Sequence, residues 1–167
     1  VALCGAYMMG DWKKLLILVT AFTIGHSITL ALATLQVVNF RADVIEFLIP
    51  VTIFLTAILN LFKKERGFQS PKIGYSYGLA LIFGLIHGLG FSNYLRALLG
   101  KDTSIVSQLL AFNIGLEIGQ IIIVAFFLII SFILVDIFGV KRRDWKMILS
   151  SAVAGIALML MFETKFW

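Results

Sequence analysis

Five apolar runs, each close to or beyond the ~20 residues that carry a helix across ~30 Å of hydrocarbon, restrict this chain more than anything else in it. They cover 15–38, 44–62, 73–99, 104–138 and 145–162, and each is bounded by charged or turn-forming residues. A water-soluble fold of 167 residues could not bury them all: 60% of the chain is hydrophobic, and only 14% is charged. Soluble domains carry roughly 25% charge. The expected architecture is an all-α, polytopic transmembrane helix bundle with five full spans, forming a single domain over 1–167. Residues 1–9 are apolar but too short to cross, and they lack the basic flank of a signal peptide. They are expected to be the tail of a truncated sixth helix. The fourth run is longer than one untilted span requires, so its first turns are expected at the interface or in the mouth of the bundle.

Charge then orients the bundle. The net charge of +5 does not point to nucleic acid, because the basic residues lie in short clusters between spans. Ten of the fourteen fall on alternate ends: Lys13 and Lys14; Lys63, Lys64, Arg66 and Lys72; Lys141, Arg142, Arg143 and Lys146. The other ends hold Arg41, Arg96, Lys101 and Lys165. The positive-inside rule predicts cytoplasmic loops at 10–14, 63–72 and 139–146, with the carboxyl end outside. The single cysteine, Cys4, excludes an internal disulfide.

Ionisable and strongly polar groups inside apolar spans are costly, which makes each a functional candidate. His26 lies mid-span, with Thr23 and Thr29 three residues to either side and expected on its face. His87 lies at similar depth in a glycine-rich stretch, where Gly84 and Gly88 suit close helix packing or a local kink. Asn113, Glu117 and Gln120 share one helical face, while Gly115 and Gly119 form a small-residue pair on another. Glu46 stands near the outer end of its span, four residues before Pro50, which removes a backbone bond and predicts a bend. Asn60 reads as an interface or capping residue. Each position also has a plain structural reading, as a hydrogen-bonded packing group between helices. Two imidazoles, one or two carboxylates and an amide suit a borderline divalent cation such as nickel, cobalt or zinc, held as substrate or as bound metal. They do not suit a thiolate-based structural zinc site. Ser27 and Ser92 lie near the histidines in sequence, but no nucleotide loop or nucleophile elbow is present.

Three segments on successive spans carry a family resemblance: Phe-Thr-Ile-Gly-His-Ser-Ile-Thr-Leu at 22–30, His-Gly-Leu-Gly-Phe at 87–91 and Phe-Asn-Ile-Gly-Leu-Glu-Ile-Gly-Gln at 112–120. Together they resemble the HupE/UreJ family of bacterial membrane proteins over nearly the whole chain. The resemblance implies nickel or cobalt uptake across the bacterial inner membrane. It makes His26, His87, Asn113 and Glu117 candidate metal-contacting residues, with Glu46 at the entrance. The family's Gly-x-Asp-His-x-x-Phe helix is not among these residues and is expected upstream of Val1.

The leading expectation is therefore a divalent-metal permease embedded in the lipid bilayer, driven by the membrane potential or by protons with Glu117 as the coupled group. Two other classes fit the same polar residues. One is an intramembrane metal-dependent hydrolase holding a metal-bound water. The other is a subunit of a larger membrane complex or homo-oligomer, whose polar residues bond between helices.

Overall fold

A computed structural model of the chain describes residues 12–38, 40–62, 73–99 and 105–167. Five helices fill almost all of it: α1 (Trp12–Thr34), α2 (Ala42–Phe62), α3 (Ile73–Leu99), α4 (Ile105–Phe132) and α5 (Arg142–Glu163). Among the described residues there is no strand. The five apolar runs thus become five helices, with ends displaced by a few residues. Four stretches are long and apolar enough to cross a membrane: α1, α2, Ser107–Ile137 and α5. α3 contributes a shorter apolar stretch, Ser76–Ser92. The expected remnant helix at 1–9, the loop at 63–72 and Lys101 lie outside the described residues.

The long fourth run is one rod. α4 passes directly into a π-helical turn at Ile133–Ile137, and the chain reverses at Gly139, whose φ of +71° suits a residue without Cβ. The Trp145 indole donates to Ser131 Oγ, tying the start of α5 to the end of α4. α1 ends differently. Gln36 takes a left-handed φ of 59°, with its N–H bonded to the Ala33 carbonyl and the Val37 N–H to the Leu32 carbonyl. That is a Schellman cap with glutamine in the position glycine usually occupies. α2 runs unbroken through Pro50, which is buried inside it.

Packing places α1 between α3 and α4, and α2 between α3 and α5. α1 and α3 run in the same direction, since Leu15 and Leu18 cluster with Ala80 while Leu30 clusters with Leu95 further along both. α4 runs opposite to α1: Leu109 meets Leu30, and Val124 and Leu128 meet the Leu15 cluster.

The α1–α3 seam is the closest. A Cβ added at Gly84 would stand 2.1 Å from the Phe22 carbonyl oxygen, and one at Gly88 would stand 2.3 Å from that of His26. Gly25 reciprocates from α1, 2.4 Å from the Leu81 carbonyl oxygen by the same measure. Without lipid-excluded hydrophobic drive between helices, such backbone proximity is what gains dispersion contacts. Thr29 Oγ1 adds a hydrogen bond to the Leu85 carbonyl across the seam, 2.7 Å long. At the far end of the bundle, Phe47 of α2 meets Phe166 and Trp167, and the Arg41 guanidinium pairs with Asp43 and lies over the Phe166 ring.

Candidate functional site

His26 is carried on α1 at the seam with α3 and is only 1% exposed. The glycines that let the backbones meet also bring aromatic rings around its imidazole. Phe22 stacks at 6.1 Å between centroids, Phe112 of α4 stacks at 6.2 Å, and Phe91 of α3 meets it at 5.7 Å with the planes 62° apart. The hydroxyl-lined face expected from Thr23 and Thr29 is not what surrounds the ring. Thr29 turns to α3, while Thr23 turns to α4, where its Oγ1 donates to Gln120 Oε1 at 3.2 Å. Among the described residues, neither His26 ring nitrogen has a hydrogen-bond partner. A buried polar atom of this kind costs about 1–3 kcal/mol, so it calls for a reason other than stability.

His87, on α3, contacts the same aromatic ring: it meets Phe22 in a T-shaped arrangement at 5.3 Å. Its Nε2 lies 3.3 Å from Thr52 Oγ1 of α2. Phe22 thus contacts both histidines, and four helices contribute to the group: α1, α2 through Thr52, α3, and α4 through Phe112.

Of the α4 residues, Glu117 stands further along. Glu117 accepts a hydrogen bond from Thr20 Oγ1 at 3.1 Å in an exposed setting. Thr20 is six residues from His26, about 9 Å along the helix axis. Asn113 donates through Nδ2 to the Leu109 carbonyl of its own helix at 2.9 Å, and its buried Oδ1 has no partner among the described residues. Glu46 is exposed on α2. No group of three or more His, Cys, Asp or Glu close enough to hold one metal ion occurs among the described residues.

Other expectations resolve as packing. Gly84 and Gly88 lie in the α1–α3 seam, whereas Cβ atoms at Gly115 and Gly119 would meet nothing within 4 Å. The latter pair therefore makes no close helix contact among the described residues. Asn60, expected as an interface or capping residue, lies inside α2, two residues before its end, and is buried at 7% exposure. Ser27 donates to the Thr23 carbonyl and Ser92 to the Leu89 carbonyl, both within their own helices, so neither hydroxyl is spent on a histidine.

Sequence reasoning passed over Thr52, Thr20, Gly25 and the three phenylalanines. The aromatic residues are end residues of the three quoted motifs and recur on three helices, and that recurrence was the available signal. Thr52 had none, since threonine is common in membrane helices and only the fold brings it to His87.

The family model described as HupE / UreJ protein matches residues 3–165. No curated protein and no solved structure matches the chain.

Proposed function

The chain belongs to the HupE/UreJ family, generally linked to nickel and cobalt transport, and from that premise we propose that it is a membrane permease for a divalent transition metal of that class. The observation that carries the reading is the pair of histidines that both contact Phe22, held where two parallel helices meet backbone to backbone. Imidazole is a ligand that nickel, cobalt and zinc all accept. A permease also needs ligands that release the ion, so a sparse set spread along the path suits transport better than a closed shell.

In this reading the five helices all span the bacterial inner membrane, with the carboxyl end outside. Glu46 receives the ion from an outward-facing polar cavity, and His87, His26, Asn113 and Glu117 pass it inward. Rings of Phe22, Phe91 and Phe112 surround His26, so an ion reaches it only when a ring moves. No nucleotide-binding motif is present among the 167 residues. Uphill movement then draws on the membrane potential, worth ~2.3 kcal/mol per charge per 100 mV, or on protons exchanged at Glu117.

The test is uptake of nickel, cobalt and zinc into proteoliposomes holding the purified protein under an imposed potential. Accumulation of nickel or cobalt that is lost in His87→Gln supports the permease; folded protein that moves none of the three ions sinks it.

A further inference from the structure

Thr52 Oγ1 has two polar neighbours, the Ile49 carbonyl oxygen at 2.7 Å and His87 Nε2 at 3.3 Å. A threonine hydroxyl has one proton and two lone pairs. The carbonyl can only accept, and it is the nearer of the two, so the proton goes there. What Thr52 turns toward His87 is a lone pair, which Nε2 can meet only by donating an N–H. A neutral imidazole carries a single ring proton, so the free lone pair of His87 is then on Nδ1.

The surroundings hold this arrangement. Thr52 is 7% exposed, and the Thr56 hydroxyl donates to its carbonyl at 2.8 Å, one turn further on. One turn earlier, Ile49 packs onto α3 where a Cβ at Gly90 would lie 2.6 Å from Ile49 Cδ1. The Ile49 side chain thus packs into the space left by Gly90 where α2 meets α3 near His87.

We propose that Thr52 is a positioning residue for His87, holding the imidazole as its Nε2–H tautomer and making Nδ1 the nitrogen presented to a divalent transition-metal ion. The second half rests on the permease reading; the first does not. Partners of this kind fix the tautomer and orientation of metal-binding histidines, and their loss commonly weakens metal handling by about 10- to 100-fold.

The experiment is ¹⁵N spectroscopy of the full chain in lipid nanodiscs with labelled histidine, using His26→Phe to assign the His87 signals. The expected wild-type result is a protonated Nε2 and an unprotonated Nδ1, retained in Thr52→Ser, with the Nδ1–H share rising in Thr52→Val. A wild-type His87 protonated on Nδ1 overturns the proposal, as does a tautomer indifferent to Thr52→Val. Should the valine variant misfold, the wild-type spectrum still decides between the tautomers. Nickel uptake by the same variants separates the two halves. Thr52→Val should lose about tenfold or more and Thr52→Ser should not; full uptake beside a changed tautomer overturns the link to the metal. A wild type with Nε2–H that moves no metal ion removes the permease and leaves Thr52's hold on His87 standing.

Discussion

The Phe22 carbonyl oxygen occupies the place a Cβ on Gly84 would need, 2.1 Å away. The oxygen belongs to helix backbone and a Cβ is fixed rigidly to its own, so no side chain can rotate aside. Gly84→Ala must therefore push α1 and α3 apart, at a cost of about 1–3 kcal/mol or more. Gly115→Ala and Gly119→Ala, with open space at the same test, should stay within about 0.5 kcal/mol. Unfolding midpoints in detergent for the three variants check the contrast, and equal behaviour would contradict the seam.

His26→Phe should separate function from packing. Exchanging a buried imidazole with no hydrogen-bond partner among the described residues for an apolar ring of similar shape removes a desolvation cost, so stability should stay within about 1 kcal/mol of wild type or rise. His26→Ala should lose about 2–4 kcal/mol through the cavity it leaves among three phenylalanines. Both variants should fail in nickel uptake. A His26→Phe protein that transports normally would remove His26 from the ion's path.

Glu117→Gln preserves an oxygen able to accept the Thr20 hydroxyl, and the site is exposed, so stability should change by less than about 0.5 kcal/mol. Transport is expected to lose its dependence on a pH gradient, because the amide exchanges no proton. The measurement is nickel uptake into vesicles with and without an imposed gradient; an unchanged dependence rules out Glu117 as the coupled group.

Gln36→Gly should stabilise the protein. A left-handed φ costs a residue with Cβ about 1 kcal/mol, and glycine adopts it freely. An upward shift of the unfolding midpoint, with uptake unchanged, is the expected result. A downward shift would show that the glutamine side chain contributes more than its backbone costs.

Helix positions were legible because membrane hydrocarbon imposes a length, and the runs ending near Phe62 and Leu99 became helices ending there. The placement of His26 and His87 on neighbouring helices was not legible, nor was the ring they share as a neighbour. Periodicity tells which residues share one helix face, yet it says nothing about which helix that face meets. Thr23 and Thr29 illustrate the limit: at three residues either side of His26 they share its surface, but one bonds to α4 and the other to α3. Gly115 and Gly119 repeat the spacing of Gly84 and Gly88, while only the latter pair has a backbone opposite it. Spacing permits an approach without requiring one.

The tightest seam in the bundle joins helices that are not consecutive, and this sets an order of events during synthesis. α1 leaves the ribosome before α3, and the residues of α3 that receive it emerge only after α2 has been made. Between Thr34 and Leu99 the ribosome adds roughly 65 residues, which takes about 3–13 s at the usual rates. For that interval α1 waits in the translocon or lipid with Gly25 unmatched and His26 without the Phe91 ring. The newborn helix is thus open to chaperones and insertases at the same groove it later closes for good.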